Sequence, residues 1–192
     1  MIAYFQGLFT EGGAVGAVAQ VIGFAALILL VASMQQKTQT RIAVFQVCSG
    51  ILWTTHMLML GAWTGAVMNG IGVPRAGVFA FRAKYDWARH FGWRVFFILL
   101  CVGGASFSAV RGDGWLALLP LTGMILTTFA LSCDRPFRVR LLSLINQPFW
   151  LIYNLCSGSI SGVACETLNI LSTVVAMLRL DLPAYRQKKK KH

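Results

Sequence analysis

The fold is decided by two stretches of equal length, QVCSGILWTTHMLMLGAWTG at residues 46–65 and SLINQPFWLIYNLCSGSISG at residues 143–162. A shift of 97 residues places Trp53 on Trp150 and one glycine-containing turn on the other. In each stretch, polar residues are spaced by three and four among apolar ones, which is the period of one face of a helix. The pattern predicts two related helices in a duplicated chain, each with one polar face.

The composition predicts a membrane protein. Of the 192 residues, 57% are hydrophobic and 12% are charged, and the mean hydropathy is +0.67. A soluble domain carries roughly twice this charged fraction, which argues against a cytosolic enzyme. The five cysteines form no C-x-x-C pair, so neither a metal site nor a disulfide is indicated. Nucleotide-binding and hydrolytic motifs are absent from the sequence, and we expect no enzymatic activity and no cofactor.

Seven apolar segments approach the 20 or so residues that a spanning helix needs. They lie at 14–34, 42–60, 64–81, 95–110, 115–132, 141–156 and 161–179. We expect the first to be retained, because no basic segment precedes it and no cleavage site follows it. Fifteen of the sixteen loop and tail bases fall on the face reached after helices 1, 3, 5 and 7, and Arg111 alone falls on the other. Cytoplasmic loops keep Lys and Arg, so the N-terminus is predicted outside and the C-terminus in the cytoplasm.

The shift of 97 residues extends well beyond the two opening stretches. It aligns eight identical residues: Ile28, Leu29, Arg41, Trp53, Leu58, Gly61, Gly65 and Arg82 with Ile125, Leu126, Arg138, Trp150, Leu155, Gly158, Gly162 and Arg179. Because three helices reverse the direction of the chain, a linker helix is needed to give both copies the same orientation. We therefore predict an all-α membrane protein with seven transmembrane helices, in which two parallel three-helix bundles are joined by a linker helix. The predicted divisions are 1–82, 83–110, 111–180 and a polybasic tail at 181–192.

This 3+1+3 arrangement resembles the MtN3/SWEET/PQ-loop superfamily. More narrowly, the runs LGAWTGAVMNGIGVPR at 60–75, LLPLTGMILTTFAL at 118–131 and WLIYNLCSGSISGVACE at 150–166 resemble YgjV-type bacterial inner membrane proteins. The resemblance implies a multi-pass protein of the bacterial inner membrane. Through its SWEET-like branch it also implies an ATP-independent transporter or facilitator of a small polar, sugar-like solute.

Two departures from the superfamily concern its characteristic prolines. The proline-glutamine signature is absent, and Gln35-Gln36 and Cys133-Asp134 stand in its place. SWEET proteins resemble one another in a set of hinge prolines, whereas the prolines in the predicted spans here form no symmetric set: Pro74, Pro120 and Pro148. These departures argue against a SWEET-like rocking mechanism.

The polar faces of helices 2 and 6 are the candidate binding surface. Their residues are Gln46, Ser49, Trp53 and His56, then Ser143, Asn146, Trp150 and Tyr153. Unpaired polar groups in hydrocarbon cost several kcal/mol, so both faces should point inward. There they either hold helices together by hydrogen bonds or line a pocket in which tryptophan and amides suit a small polyol. The resemblance to SWEET pockets adds two asparagines and gives the set Trp53, Trp150, Asn69, Asn169, Asn146 and Tyr153.

Three ionisable residues lie inside the predicted spans: Arg75, Glu166 and His56. An isolated charge at such depth costs at least about 2.5 kcal/mol. Arg75 and Glu166 could extend to opposite membrane surfaces, pair as a structural clamp, or bind solute and carry a proton, with His56 in the relay. We expect Glu166 to face the interior and to approach Arg75 or the polar face of helix 2, because its side chain is short.

The expected partners are the lipid bilayer, a small polar solute and no nucleic acid. The lysine-rich tail should lie against anionic headgroups, and Tyr85, Trp87 and Trp93 should act as interfacial anchors. A rival interpretation is a membrane receptor or assembly factor of the same fold that transports nothing, and a third is lipid handling. The sequence leaves the oligomeric state open, a homo-oligomer included.

Overall fold

A computed structural model describes residues 13–110, 114–157 and 159–183. Arg111, the turn residue Gly158 and the basic tail residues Arg186 and Lys188 to Lys191 lie outside the described residues. Within them the chain forms seven α-helices, which confirms the all-α prediction and its helix count. They are α1 (Gly13–Met34), α2 (Gln39–Met59), α3 (Trp63–Ala80), α4 (Gly92–Ser108), α5 (Leu118–Leu131), α6 (Pro136–Cys156) and α7 (Ile160–Ala176).

Shorter helical segments join or extend these helices. Two 3₁₀ turns, Phe81–Ala83 and Asp86–Arg89, connect α3 to α4, and a third, Gly114–Ala117, leads into α5. A π-helical segment, Met177–Asp181, continues α7. The α2–α3 turn contains Gly61 at φ +68°, a left-handed conformation that glycine adopts without the steric cost of a side chain. This glycine explains how two long helices can reverse within three residues.

Four of the described helical stretches are long and apolar enough to cross a membrane by length and composition. They are Val15–Met34, Gln39–Met59, Gly114–Leu131 and Ile160–Asp181. Helix α4 is apolar but shorter. Helices α3 and α6 fall outside this set, because α3 carries Arg75 and α6 carries two arginines and three amide side chains. The structure therefore supports a membrane protein, with fewer clear spans than the seven predicted.

Helix α6 begins at Pro136, five residues before its predicted start. Proline suits the first turn of a helix, because an N–H group at that position has no partner within the helix. The prediction that Arg138 and Arg140 lie in a loop is therefore wrong: both belong to the first turns of α6. A prediction from hydropathy starts a helix only after its charged residues, whereas the backbone hydrogen bonds of the helix include those residues.

The surface of the molecule is apolar and much of its interior is polar. Val21, Ile28 and Leu99 are each about two-thirds exposed, whereas His56 and Thr128 are fully buried. Soluble proteins bury large aliphatic side chains and expose polar ones. The reversed distribution is expected where lipid surrounds the helices, because hydrocarbon offers no hydrogen-bond partner to a polar group.

Six helices form a closed ring. Helix α1 packs on α2, α2 on α3, α3 on α5, α5 on α6, α6 on α7, and α7 returns to α1. Helix α4 packs against α3 and α5. The ring brings the polar faces of α2 and α6 toward a common interior.

Two buried arginines tie the ring together at one end, where α1, α3 and α5 finish and α6 begins; we call this the basic end. Arg82 at the end of α3 donates from Nε to Asp134 Oδ1 at 2.9 Å, which joins α3 to the connection after α5. Arg140 in α6 donates from Nη1 to Asp181 Oδ1 at 2.8 Å, and its Nε donates to the Met34 carbonyl at 2.9 Å. These bonds close the ring at both seams between its halves, α3–α5 and α7–α1.

Candidate functional site

A cavity of about 110 Å³ lies in the middle of the ring. Every one of the six ring helices contributes to its described lining, and α4 does not. The polar lining residues are Gln46, Ser49, Asn69, Arg75, Thr127, Ser143, Asn146, Gln147, Asn154, Glu166 and Asn169, with the tryptophans Trp53 and Trp150 beside them. The chain thus forms a small, partly open cavity in which polar side chains and apolar ones share the lining.

The cavity lining follows the 97-residue repeat. Helix α2 contributes Gln46, Ser49, Gly50, Trp53 and Met57, and the residues 97 positions later are the lining residues of α6: Ser143, Asn146, Gln147, Trp150 and Asn154. Asn69 of α3 corresponds in the same way to Glu166 of α7, and Gly72 to Asn169. Corresponding positions in the two halves therefore face one cavity, although most of the residues at these positions differ.

Seven of the nine predicted site residues line this cavity. They are Trp53, Asn69, Arg75, Asn146, Trp150, Glu166 and Asn169. His56 and Tyr153 do not belong to the lining, although both are buried. The solute-binding role of these residues remains a prediction.

His56 lies between helices and ties them together. Its Nδ1 is 2.7 Å from the Ala19 carbonyl, and its Nε2 is 3.2 Å from the Ser161 hydroxyl. A carbonyl oxygen only accepts, so Nδ1 carries a proton and, in the neutral ring, Nε2 accepts from Ser161. Gln46 faces the cavity, and His56 follows it by ten residues of the same helix. At 3.6 residues per turn, His56 therefore points about 80° away from the direction of Gln46. Met57, eleven residues after Gln46, occupies the cavity-facing position instead.

Tyr153 supports the start of α3. Its hydroxyl accepts a hydrogen bond from the Gly65 backbone N–H at 3.1 Å. The first N–H groups of a helix have no partner within the helix, and Ala62, which precedes α3, offers no capping side chain. Tyr153 of α6 therefore supplies the hydrogen-bond acceptor that the first turn of α3 lacks.

Arg75 anchors α3 to α5 across the seam between the halves. Its Nη1 donates to the Met124 carbonyl at 2.9 Å and to the Thr128 hydroxyl at 3.1 Å. Its Nε is buried and has no hydrogen-bond partner among the described residues. The side chain is 4% exposed, so it does not extend to the membrane surface. Both partners are neutral, which leaves the positive charge without a counterion in the described structure.

Glu166 also lies at the cavity, and it is 8% exposed. Within the described ranges, no side chain or backbone group donates a hydrogen bond to its carboxylate, and it forms no ion pair with Arg75. Arg75 and Glu166 therefore neither extend to opposite membrane surfaces nor form a direct ion pair. A carboxyl group and a guanidinium group thus face one cavity and remain apart.

Buried amide oxygens without partners form much of the α6 and α7 walls. The oxygens of Asn146, Gln147, Asn154 and Asn169 are buried and accept no hydrogen bond from any described residue. For Asn146 the orientation follows from its neighbour: Thr127 donates its hydroxyl proton to the Gly123 carbonyl at 2.9 Å. That hydroxyl can then only accept, so it takes the Asn146 amide N–H at 2.8 Å, and the amide oxygen is left free.

Sequence reasoning missed Gln147, Asn154 and Thr127. The signal for the two amides was present, since Gln147, Trp150 and Asn154 are spaced by three and four and therefore share a helical face. Thr127 aligns with the apolar Leu30, and the repeat gave no indication of its role. The cavity face is therefore wider than the single stripe that the polar spacing suggested.

The family model described as "Imp-YgjV: Bacterial inner membrane protein" matches residues 17–183 of this chain. Curated proteins and solved structures gave no match. The family match spans all seven helices except the first turn of α1.

Proposed function

Because this chain belongs to the Imp-YgjV family of bacterial inner membrane proteins, we propose that it is an ATP-independent transporter or facilitator of a small polar solute. The observation that carries the proposal is the central cavity, which all six ring helices line and to which five of them, α2, α3, α5, α6 and α7, contribute polar residues. Enclosing so many unpaired polar groups in a membrane protein is costly. A solute that forms hydrogen bonds with these groups offsets this cost.

The size of the cavity limits the solute. Pockets for drug-sized ligands commonly measure about 300–1,000 Å³, whereas this cavity measures about 110 Å³. A solute with only a few non-hydrogen atoms matches this volume best. Trp53 and Trp150, at corresponding positions on α2 and α6, form flat walls suited to such a solute.

The proposed architecture is two parallel three-helix repeats joined by α4, with all seven helices spanning the membrane. It is supported by the correspondence of the α2 and α6 lining and by the equal order of packing in α1–α2–α3 and α5–α6–α7.

The proposed orientation places the N-terminus outside and the basic end in the cytoplasm, against anionic lipid. Labelling of single cysteines introduced at Lys84 and at Trp115, in a chain whose five native cysteines are replaced by alanine, tests this. Labelling of position 115 from outside and of position 84 from inside is expected, and the reverse pattern would contradict it.

An aromatic cluster at the basic end supports the membrane boundary. The rings of Tyr85 and Trp87 stack with centroids 6.3 Å apart, and Trp93 packs edge-on to Trp87 at 6.0 Å. Lys84 Nζ lies 5.2 Å from the centroid of the Tyr85 ring. Aromatic rings mixed with basic side chains are typical of the headgroup region.

Solute flux into proteoliposomes tests the function. The purified chain is reconstituted and supplied in turn with glycerol, erythritol, xylose, urea and alanine, and protein-free vesicles provide the baseline. Saturable uptake of at least one solute, reduced by Trp150→Leu and unchanged by Leu99→Ala on the exposed side of α4, is expected. Binding without flux would favour the rival, a receptor or assembly factor, and the absence of both would refute a solute site.

A further inference from the structure

We infer that the solute is a small zwitterion, with an ammonium group held at Glu166 and a carboxylate group held at Arg75. This inference rests on the proposed function and specifies the chemical class of its solute. It starts from a carboxyl group and a guanidinium group that face one cavity without pairing with each other. In a space of low dielectric an unpaired charge is costly, and a partner of opposite sign offsets that cost.

The ammonium side of the cavity is rich in hydrogen-bond acceptors. The Glu166 carboxylate has no donor among the described residues, and Asn69 occupies the corresponding position in the other half. Asn69 donates its amide N–H to the Gly65 carbonyl at 2.8 Å, which fixes the orientation of its amide and leaves its oxygen free. The Asn146 oxygen faces the same cavity from α6, and it is free for the reason given above. An ammonium group has three donors and no acceptor, and it matches such a set of oxygens.

The carboxylate side of the cavity is the guanidinium group of Arg75. Only its Nη1 is engaged by described residues, through the Met124 carbonyl and the Thr128 hydroxyl. These neutral partners hold the group in place without neutralising its charge. The buried Nε still has a proton to donate. A guanidinium group binds carboxylates through two adjacent N–H groups, so this residue can bind the anionic end of a solute.

Other solute classes leave part of the cavity unsatisfied. A polyol supplies hydrogen bonds but leaves the guanidinium group of Arg75 without a counterion. A simple amine does the same, and a simple carboxylate pairs with Arg75 but leaves the Glu166 carboxyl group without a cation to bind. A zwitterion engages both groups and keeps the occupied cavity neutral. An amino acid the size of glycine or alanine has few enough atoms for a space of about 110 Å³.

The test compares three molecules of almost equal size. Alanine carries both charged groups, propionate lacks the ammonium group, and ethylamine lacks the carboxylate. Binding to the full-length chain in nanodiscs is measured by calorimetry at pH 7, with glycerol as the uncharged probe. Alanine is expected to bind at least tenfold more tightly than either single-charge analogue. Equal affinities for all three, or preferential binding of glycerol, would overturn the inference.

Two substitutions separate the two ends of the solute. Glu166→Gln keeps the shape of the side chain, and it should abolish the preference for alanine over propionate while keeping the preference over ethylamine. Arg75→Gln should have the opposite effect. Because Arg75 also anchors α5, its variant could fail to fold, and the Glu166→Gln result then decides alone. Arg89→Gln, in an exposed side chain far from the cavity, is the control and should change neither preference.

Failure of this inference differs from failure of the proposed function. Flux of glycerol without a preference for alanine would overturn the zwitterion and leave the transporter. Tight alanine binding with the expected variant pattern but no flux would support the zwitterion and remove the transporter. An absence of binding by all four probes would overturn the inference.

Discussion

Replacing Gly123 by alanine should close the cavity without unfolding the protein. Gly123 lies in α5, and a Cβ atom there would be 2.6 Å from both Asn146 Oδ1 and Trp150 Nε1. Ordinary contact begins at 3.4 Å, so both atoms must retreat by about 0.8 Å, a distance comparable to the 1 Å misplacement that abolishes precise positioning. Both are the ends of side chains, and they are displaced within a space of only about 110 Å³. The substitution therefore changes the site and leaves the backbone in place.

The expected size of the effect follows from the hydrogen bond that is lost. A hydrogen bond to a charged group contributes about 1.5–3 kcal/mol, so misplacing the Asn146 oxygen should weaken solute binding by roughly 10- to 100-fold. Overpacking costs about 1–3 kcal/mol of stability, whereas alanine in a helix gains about 1 kcal/mol over glycine. The net change in the free energy of unfolding should therefore be at most about 2 kcal/mol.

Two other glycines provide matched controls for the methyl group. A Cβ atom on Gly77 in α3 or on Gly103 in α4 meets no atom within 4 Å. Gly77→Ala and Gly103→Ala should keep solute affinity and raise thermal stability slightly. Calorimetry and thermal unfolding in the same detergent measure both quantities for all three variants. If Gly123→Ala binds alanine as tightly as the two controls do, the cavity is not the solute site.

Three further predictions concern residues that support the ring. Arg140→Met should lower the free energy of unfolding by about 3–5 kcal/mol, because it leaves the Asp181 carboxylate, which is 16% exposed, and the buried Met34 carbonyl without their donor, whereas Arg138→Met, at an exposed position of the same helix, should change it by less than about 1 kcal/mol; equal melting temperatures in a detergent thermal scan would contradict this. His56→Leu should lower thermal stability by about 1–3 kcal/mol through two lost hydrogen bonds and keep solute affinity, and a loss of binding in a folded variant would restore His56 to the site. Tyr153→Phe should cost about 1 kcal/mol by leaving the Gly65 N–H unpaired, measured by thermal unfolding, and unchanged stability would show that this bond contributes nothing.

The sequence contained enough information to predict seven helices and the faces of α2 and α6 that point inward. Apolar length defines the helices, and the repeat identified Trp53 and Trp150 as corresponding residues. The sequence was less informative at positions where two rules predict different structures. Arg140 follows the rule that bases mark loops, yet its aliphatic stem and its bond to Asp181 keep it buried in a helix. His56 follows a spacing of three and four, but small angular errors accumulate over ten residues and rotate it off the cavity face.

The state of Arg75 and Glu166 could not be predicted from their positions in the chain. Both are charged residues at membrane depth, and whether they extend, pair or face a solute depends on the packing of α3, α5 and α7. The Met124 carbonyl that holds Arg75 is a backbone group, and a backbone carbonyl leaves no mark in the sequence. Only the three-dimensional arrangement shows that the guanidinium group and the carboxyl group share a cavity without touching.

The unequal lining of α2 and α6 has a consequence for how a bound solute is oriented. In a ring of two identical halves, a solute turned by half a revolution about the central axis would meet the same surroundings, and two equivalent poses would coexist. Here Gly50 and Met57 of α2 stand opposite Gln147 and Asn154 of α6, so the two poses differ in energy. An isotopically labelled solute should accordingly give one magnetic resonance environment in the bound state, and substitutions that make the two linings alike should give two.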